Sequence, residues 1–492
     1  MKQYKIWYLS TEVAPFAKTG GLGDVCSSFP KALKMKDYEI RTTMPKYKII
    51  NERKYILREV IRLKEIPVTI NGVTKIVSAK SAFLPDSKVQ IYFIDIPEYF
   101  GRVGLYSDKQ TGEDYKDNAQ RFAYFCKGTI ETLKILSWKP DIIHCNDWQT
   151  AFVPIYLKTL YKDDPFYDGI KTVFTIHNLA FQGSFDIETA KALDIDPSII
   201  ENDGPAGKSG YLNLLKGAIH YSDYVTTVSE KYADEISTSP QFGDGLEDFI
   251  TKNKEKFSGI LNGVDYTVWS PDKDKHIPFK YSKENLPGKE QNKQALLTRV
   301  NMPYNESTPV IGMISRVVDQ KGYDLLVEAL DSLTELDMQI VILGTGDKKL
   351  EDSIEKFQKK FPNKISLNRA FDETLAHMIE AGSDFFLMPS SFEPCGMNQI
   401  YSLKYGTLPI VYYTGGLADT IFEIDEKEKT GNGFVFNKYS SKELIKVIKR
   451  ALKFYKNKNV LVETQTRIMD EDFSWDTSID KYSDVYEKVV GE

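Results

Sequence analysis

The stretch that decides the fold is Val310 to Gly346, VIGMISRVVDQKGYDLLVEALDSLTELDMQIVILGTG. It opens with a short apolar run, and a polar loop leads to Tyr323 to Leu333, where leucine and alanine recur at helical spacing. A second apolar run, Gln339 to Leu343, ends at Gly344-Thr345-Gly346. The pattern predicts a strand, a helix and a strand, the repeating unit of a parallel sheet covered by helices.

The same alternation continues to the end of the second half of the chain. Strand-like and helix-like runs follow one another at Lys348 to Phe361 (helix), Lys364 to Leu367 (strand), Glu373 to Ala381 (helix), Asp384 to Met388 (strand), Gly396 to Tyr405 (helix) and Leu408 to Tyr412 (strand). Strands that alternate with helices of this length predict a doubly wound parallel sheet.

The first half repeats the pattern with longer insertions. Strands are predicted at Lys5 to Leu9, Glu39 to Met44, Val89 to Ile94, Ile142 to His144, Thr172 to Ile176 and Tyr224 to Val228, with a helix at Asp24 to Met35 and a β-hairpin within Asn51 to Ser87. The segment Asn262 to Gly288 is rich in Pro, Asp, Lys and Gly, as a domain boundary would be. We therefore predict an α/β protein with two Rossmann-like domains.

The composition excludes several classes of function. With 64 Lys and Arg against 70 Asp and Glu, the 492-residue chain carries a formal charge of −6 and no basic block, which disfavours a nucleic-acid partner. It has no apolar run of about 18 residues, so we expect no membrane span. The four cysteines lack Cys-x-x-Cys spacing and the five histidines form no His-Glu-x-x-His pair, so no structural zinc site or disulfide framework is predicted. The N-terminus shows no signal or transit pattern, which favours a cytoplasmic location.

The first loop that could bind a ligand is Lys18-Thr19-Gly20-Gly21-Leu22-Gly23-Asp24, between the first strand and its helix. Glycines allow a ligand to approach the backbone closely, and the N–H groups that begin a helix favour an anion such as a phosphate. The dinucleotide fingerprint and the Walker A motif are both incomplete here, which disfavours hydride transfer and a P-loop. A solvated lysine in a glycine-rich turn remains an alternative at this point.

Three loops in the second half point to a diphosphate and a sugar. Arg316 and Lys321 lie in the loop after the first strand of this half, where two cations could grip a diphosphate. Glu393 directly precedes a helix, where a carboxylate could bind sugar hydroxyls or steady positive charge. Thr414-Gly415-Gly416 repeats the glycine pattern of a phosphate cradle. Taken alone, the loop with Arg316 and Lys321 would be read as a solvated pair, and Glu393 could be a helix-capping acid, for which glutamate is a mediocre choice.

Two strand ends in the first half carry polar groups, at His144-Cys145-Asn146-Asp147-Trp148 and at Thr175-Ile176-His177-Asn178. An isolated histidine at such a place is usually structural. Two such loops, one of them with a tryptophan, favour a carbohydrate site instead. Cys145 and Cys395 have no adjacent base in the sequence, so neither is predicted to be a nucleophile.

Taken together, these stretches resemble the bacterial glycogen synthase and plant starch synthase family. The matching motifs are Ser10 to Val25 with its Lys-Thr-Gly-Gly-Leu core, Asp114 to Phe125, Ile143 to Trp148, Thr175 to Gly183, Leu261 to Asp265, Ser315 to Gly322, Pro389 to Gly396, Tyr405 to Pro409, Thr414 to Thr420 and Phe473 to Asp476. They run in the family's order along almost the whole chain.

The resemblance implies the GT-B fold, two Rossmann-like domains that face each other across a cleft. It implies an N-terminal domain at 1–260, a C-terminal nucleotide-sugar domain at 261–470 and a tail at 471–492 that crosses back to the first domain. The implied reaction transfers glucose from ADP-glucose to the non-reducing end of an α-1,4-glucan with retention of configuration. The implied partners are the glucan and the nucleotide sugar, without a metal or other cofactor.

The resemblance also implies roles for individual residues. Arg316 and Lys321 would hold the diphosphate as it leaves, and Glu393 would bind the glucosyl ring and offset oxocarbenium-like charge. Asp147 and His177 would position the sugar and the acceptor hydroxyl. The implied donor-binding residues are Lys18, Gly20, Gly21, Asp24, Asn262, Cys395, Gly396, Thr414, Gly415 and Gly416.

Two other functions stay open at this point. A glucan-binding homologue without activity would be free to lose Arg316, Lys321 or Glu393, and all three are present. A GT-B enzyme that uses UDP-glucose would differ in loops whose pattern does not reveal the base. The location implied is the bacterial cytoplasm, or a plastid for a mature chain without its transit peptide.

Overall fold

The computed structural model describes residues 4–491 and divides into two compact units. The first unit contains the chain up to Gly263 together with the segment from Trp475, and the second unit runs from Val264 to Ser474. The sequence predicted boundaries at 260/261 and 470/471, and the units divide at 263/264 and 474/475.

The first unit is built around one large sheet. The ten strands of this sheet are β1 (Lys5–Leu9), β2 (Glu39–Pro45), β3 (Arg58–Glu59), β4 (Ile66–Ile70), β5 (Val73–Phe83), β6 (Gln90–Asp95), β7 (Ile142–Asn146), β8 (Lys171–Ile176), β12 (Tyr224–Thr227) and β13 (Phe257–Gly259). A separate small sheet contains β9 (Ser184–Phe185), β10 (Gly207–Lys208) and β11 (Tyr211–Asn213), which pair in the antiparallel sense. Its helices up to residue 263 are α1 (Gly21–Met35), α2 (Pro97–Phe100), α3 (Asn118–Ile135), α4 (Phe152–Lys158), α5 (Ile187–Lys191), α6 (Leu214–Tyr221), α7 (Glu230–Thr238), α8 (Pro240–Gly243) and α9 (Glu247–Lys252).

The strand order of this sheet sets the place of a ligand site. From one edge the order is β13-β12-β8-β7-β1-β2-β6-β5-β3, and the pairs from β13 to β6 are all parallel. β4 and β5 form the predicted hairpin, which extends the sheet with antiparallel pairing. β7 is buried along its whole length, as parallel strands covered on both faces are. The strand order reverses between β1 and β7: β2 and β6 lie on one side of β1, and β7, β8 and β12 lie on the other. The loops that follow β1 and β7 meet at this switch point.

The segment from Trp475 forms helix α18 (Trp475–Gly491) and completes the first unit. Tyr486 of this helix hydrogen-bonds to His144 over 2.7 Å, and Tyr38 donates to Ser483 over 2.8 Å. The rings of Phe29 and Trp475 lie 5.3 Å apart. The helix thus packs on α1 and beside β7, and its aromatic side chains help to fill the core of this unit.

The second unit has a smaller sheet of six strands, all of them within the described residues. They are β14 (Val310–Ile314), β15 (Gln339–Leu343), β16 (Ile365–Asn368), β17 (Phe385–Met388), β18 (Leu408–Tyr412) and β19 (Phe434–Phe436). The helices of this unit are α10 (Pro287–Arg299), α11 (Tyr323–Thr334), α12 (Lys348–Lys360), α13 (Glu373–Gly382), α14 (Asn398–Lys404), α15 (Gly415–Thr420), α16 (Ser441–Tyr455) and α17 (Lys458–Ile468).

The six strands are parallel and lie in the order β16-β15-β14-β17-β18-β19. Numbered along the chain, this is the Rossmann order 3-2-1-4-5-6, with its switch point between β14 and β17. The apolar stripe predicted on α11, Leu325 to Leu333, is buried against this sheet. Among residues 4–491, no helix is both long enough and apolar enough to cross a membrane.

Candidate functional site

The loop after β1 is held by a buried carboxylate, Glu12. Its carboxylate accepts hydrogen bonds from Thr19 N at 2.5 Å, Thr19 Oγ1 at 2.7 Å and Tyr106 Oη at 2.8 Å. Burial raises the pKa of Glu12, although these hydrogen bonds act in the opposite direction. Glu12 therefore fixes the backbone next to Lys18 and Gly20 from beneath.

The predicted donor residues of this loop lie at the start of α1. Lys18 Nζ pairs with Asp24 at 2.8 Å, and both side chains are partly exposed. Gly20 precedes the helix with open space where a side chain would be, and exposed Gly21 is its first residue. A Cβ on Gly23 would lie 2.5 Å from Lys18 Cβ, so this glycine lets the loop fold back on the helix. The backbone N–H groups at the start of the helix favour an anion here, while Asp24 balances the charge of Lys18.

Asp147 lies directly after β7, at the switch point of the first sheet. Its backbone has φ 57° and ψ 171°, a conformation that side chains other than glycine rarely adopt. The carboxylate accepts a hydrogen bond from His177 N at 2.7 Å, which ties it to the loop after β8. Burial raises the pKa of Asp147 to about 7, although hydrogen bonds from the backbone of His177 and Asn178 lower it.

His177 is held in one orientation by Asn146. Asn146 Nδ2 donates to Leu9 O at 2.7 Å, so its Oδ1 faces His177 Nε2 at 2.8 Å and accepts a hydrogen bond from it. That contact puts the ring proton on Nε2 and leaves Nδ1 as the acceptor nitrogen. Burial lowers the pKa of His177 to about 3, so the imidazole is neutral at physiological pH.

His144 precedes Asp147 by three residues and has a structural role. Its Nδ1 lies 2.7 Å from Tyr486 Oη and its Nε2 lies 2.7 Å from Thr175 Oγ1, so both ring nitrogens are used. Burial lowers its pKa to about 3. The neighbouring Cys145 is also buried, and burial raises the pKa of its thiol well above the usual range, which disfavours a nucleophilic role.

In the second unit, Lys321 and Glu393 meet at the switch point of the sheet. Lys321 Nζ lies 2.5 Å from Glu393 Oε2, which also accepts a hydrogen bond from Ser390 Oγ at 3.1 Å. The Glu393 side chain is 8% exposed and that of Lys321 is 18% exposed. Lys321 comes from the loop after β14 and Glu393 from the loop after β17. These two strands are neighbours in the sheet, so the loops that follow them lie side by side.

The two loops that carry this pair are joined through their backbones. Ser391 N donates to Gln320 O at 2.9 Å. Gly322 has φ 78°, and a Cβ there would lie 2.2 Å from Pro389 O, so only glycine allows this approach. Arg316 lies in the first of the two loops and is exposed; in the part of the chain that the structure describes, no ion pair engages its guanidinium. Its five donors are therefore available to an anion.

The two glycines after β18 have a structural role, whether or not they also contact a ligand. A Cβ on Gly415 would lie 2.0 Å from Glu393 O, and one on Gly416 would lie 2.1 Å from Cys395 O. Gly416 N donates to Glu393 O at 3.0 Å, so this amide is already engaged. Thr414 precedes α15, while buried Cys395 and Gly396, with φ 70°, follow Glu393. The loop thus supports the backbone that carries Glu393.

Asn262 lies at the end of the first segment of the first unit. The predicted boundary assigned it to the second domain, whereas it belongs to the first unit. Ile260 N donates to Thr227 O at 2.8 Å, and Ser478 Oγ donates to Leu261 O at 2.5 Å. The segment is held by β12 and by α18, contacts that the local composition did not reveal.

Sequence reasoning gave no role to Glu12 or Asn146, which orient the predicted site residues. Both were quoted within motifs, but their partners lie far along the chain, Tyr106 for Glu12 and Leu9 for Asn146. Chemically, the first unit offers a lysine at a helix start and a neutral histidine beside a carboxylate. The second offers two cations and a buried carboxylate, which suits a phosphate ester of a sugar.

Comparison with known families identifies both halves of the chain. Residues 5–252 match the family described as the starch synthase catalytic domain, and residues 298–467 match glycosyl transferases group 1. The matches therefore include the loops after β1, β7, β8, β14, β17 and β18 described above.

Whole-chain relatives agree with these matches. The chain is 41% identical over 493 residues to the glycogen synthase of Thermotoga maritima, with 99% of each chain covered. It is 38% identical over 490 residues to the glycogen synthase of Chlorobaculum parvum, covering 100% of this chain and 99% of that one.

Solved structures give the same result for the fold. The catalytic domain of starch synthase IV from Arabidopsis thaliana, solved with ADP and acarbose, matches with a TM-score of 0.92 and 32% identity over 100% of both chains. The sucrose-phosphate synthase of Thermosynechococcus elongatus matches at 0.59 and 14% identity and shares the fold only. These findings confirm the resemblance, the GT-B fold and the enzyme class: the chain belongs to the glycogen synthase and starch synthase family of retaining glycosyltransferases.

Proposed function

We propose that this chain transfers the glucosyl group of ADP-glucose to the non-reducing end of an α-1,4-glucan, with retention of the anomeric configuration. The observation that carries the proposal is the contact of Lys321 with Glu393, made by a loop that also carries the exposed Arg316. The related starch synthase IV structure contains ADP and the sugar analogue acarbose, which supports an adenine nucleotide as donor.

In the second unit, we assign to Arg316 and Lys321 the binding and stabilisation of the diphosphate leaving group. A guanidinium binds phosphate oxygens through two donors and an ammonium acts as a point charge, so both stabilise the diphosphate as negative charge develops on it. Such preorganised charge contributes about 3 to 4 kcal/mol per group to transition-state stabilisation in comparable sites. Lys321 is already fixed by Glu393, so its orientation costs little further ordering when the donor binds.

Glu393 has a different role in this proposal. The Glu393 carboxylate is almost fully buried, so its surroundings screen its charge weakly and it interacts strongly with a charge that develops next to it. We assign it to the glucosyl hydroxyls and to the positive charge that develops on the ring carbon and oxygen. Thr414, Gly415, Cys395 and Gly396 support the donor site around it.

In the first unit, we assign Lys18, Gly20, Gly21, Asp24 and Asn262 to the donor. Asp147 and neutral His177 are assigned to the sugar and the acceptor hydroxyl, because an acceptor nitrogen and a carboxylate can orient hydroxyl groups. The deprotonation of the attacking hydroxyl is assigned to a phosphate oxygen of the leaving group on the same face of the ring. We also propose that the transfer itself needs no metal ion, since Arg316 and Lys321 supply the positive charge. Incorporation that survives EDTA would support this.

The test measures incorporation of labelled glucose into glycogen from ADP-glucose and from UDP-glucose in parallel. We expect preferential use of ADP-glucose, and a loss of about 100-fold or more in a Glu393→Gln variant. Glu428→Gln, at an exposed position of the same unit, is the matched control and should keep full activity. Preference for UDP-glucose would refute the donor assignment. No incorporation from either donor by folded protein would favour a glucan-binding homologue without activity.

The bacterial origin of the closely similar glycogen synthases supports a bacterial cytoplasmic location rather than a plastid one. Fractionation of the source cells, followed by immunodetection of the chain, would test this part of the proposal.

A further inference from the structure

One buried histidine in the second unit has a ring nitrogen without a partner. His377 lies on α13 and its side chain is 0% exposed. Its Nδ1 lies 2.7 Å from Asp274 Oδ2, whereas its Nε2 has no hydrogen-bond partner among residues 4–491. The Asp274 carboxylate can only accept, so the Nδ1–H of His377 donates to it, and in the neutral imidazole Nε2 is then the acceptor nitrogen. A buried acceptor left unsatisfied costs stability unless something binds it.

Two further residues with ligand atoms lie close to His377. His276 and Glu373 each place one ligand atom so that these atoms and a nitrogen of His377 all lie within 4.8 Å of one another. Glu373 and His377 are four residues apart on α13 and so lie on one face of the helix. His276 comes from the segment before α10, and its Nδ1 lies 3.0 Å from Thr374 Oγ1. Two elements of the unit therefore converge on one point.

The surroundings hold Asp274 and His377 firmly. Asp274 also accepts hydrogen bonds from Tyr405 Oη at 2.5 Å and from His276 N at 2.8 Å. The ring of Trp269 stacks on that of His377, with a centroid distance of 3.7 Å and an angle of 8°. A carboxylate that accepts a hydrogen bond from one ring nitrogen of a histidine, and so leaves the other nitrogen for an ion, is the usual outer-shell arrangement of a metal-binding histidine.

We propose that His276, Glu373 and His377 bind one divalent transition-metal ion of the zinc class, with Asp274 as the outer-shell partner of His377. Two imidazoles and one carboxylate are ligands that Zn²⁺ accepts, with room for a water molecule in the fourth position. Tetrahedral coordination needs ligand atoms about 3.3 Å apart, so the site closes by a small movement. Glu373 is exposed and His276 is partly exposed, so their side chains are the ones that adjust.

The bound ion would join the segment before α10 to the start of α13. His276 and its neighbour Asp274 lie in that segment, and the other two ligands lie on the helix. The proposed role is to fix this segment, and none of the three ligands belongs to the residues assigned to glucosyl transfer. The inference therefore stands independently of the proposed function.

The test uses the full chain, stripped of metal with EDTA and exchanged into metal-free buffer. Calorimetric titration with Zn²⁺ should give one equivalent bound, and Zn²⁺ should raise the melting temperature. Because Trp269 stacks on His377, binding should also change tryptophan fluorescence, and this change should disappear in Trp269→Phe. Titration with Co²⁺ should produce the visible absorption bands of a tetrahedral complex.

Two ligand variants are suited to the test because their side chains are not part of the core. Glu373→Gln and His276→Gln should each weaken Zn²⁺ binding at least tenfold, and Asp274→Asn should weaken it about 10- to 100-fold. His220→Gln, at an exposed histidine of the first unit, is the matched control and should bind as the unmodified chain does. The melting temperatures of the metal-free variants show whether each one is folded.

Three results would overturn the proposal. They are the absence of saturable Zn²⁺ binding at about one equivalent, binding that Glu373→Gln and His276→Gln both leave unchanged, and an equal loss of binding in His220→Gln.

Discussion

Replacing Asp147 by asparagine should stabilise the first unit at alkaline pH. Burial raises the pKa of Asp147 from 3.8 to about 7. The folded chain therefore holds the proton more tightly than the unfolded chain does, and the contribution of Asp147 to stability is lost as the pH rises towards 7. Asparagine has the shape of the protonated form and keeps an oxygen for the 2.7 Å hydrogen bond from His177 N.

The size of the effect follows from the two pKa values. A shift of one unit corresponds to about 1.4 kcal/mol, so about three units correspond to about 4 kcal/mol of stability at pH 8. At pH 5 the folded chain keeps Asp147 protonated while the unfolded chain is largely ionised, and the difference is about 1.6 kcal/mol. The stability gained by Asp147→Asn should therefore grow by about 2.5 kcal/mol between pH 5 and pH 8.

Urea denaturation followed by tryptophan fluorescence measures this gain, because Trp7, Trp138, Trp148 and Trp475 all lie in the first unit and the chain has five tryptophans. Asp168→Asn, at an exposed aspartate of the same unit, is the control and should show no such gain. A variant no more stable than the unmodified chain at pH 8, or a gain independent of pH, would refute the reasoning. The same variant should lose glucosyl transfer if Asp147 positions the substrate.

Three further substitutions test other parts of the molecule. Lys321→Met should lower the rate of glucose incorporation about 100- to 1,000-fold, since it removes one of two cations next to the leaving group; a change below tenfold would exclude that role. Gly415→Ala should lower the stability of the second unit by about 2 kcal/mol or more, because φ is 42° and the new Cβ would meet the carbonyl of Glu393 at 2.0 Å; an unchanged calorimetric melting profile would contradict this. Tyr486→Phe should cost about 1 to 3 kcal/mol in urea denaturation, because Nδ1 of His144 would lose its partner; a neutral effect would mean that water replaces the hydroxyl.

The alternation of apolar runs and amphipathic stretches was sufficient to predict the parallel strands of both large sheets except the edge strands β13 and β19. The stripe from Leu325 to Leu333 is buried as its spacing requires, because a helix that covers a parallel sheet must present one apolar face to it. The meeting of Lys321 with Glu393 could also be expected, since both follow strands that are adjacent at a switch point.

The sequence alone could not distinguish the roles of two histidines that occupy equivalent places. His144 and His177 both occur at strand ends, and their local sequences are similarly polar. Only the packing of α18, which brings Tyr486 to His144, makes the first one structural. Likewise, the paired glycines after β18 suggested a phosphate cradle, whereas their closest neighbours are the carbonyls of Glu393 and Cys395. Such differences depend on contacts between distant parts of the chain.

The division of the chain has a consequence for the order in which the units mature during synthesis. The second unit is one uninterrupted segment, while the first needs the residues from Trp475 onwards to cover Phe29 and His144. On the ribosome the later unit can close first, and the earlier one must wait with part of its interior uncovered, the reverse of the usual N-terminal-first order. A stop codon just after Ser474 would therefore leave the loops that carry Arg316, Lys321 and Glu393 intact and deprive the first unit of helix α18.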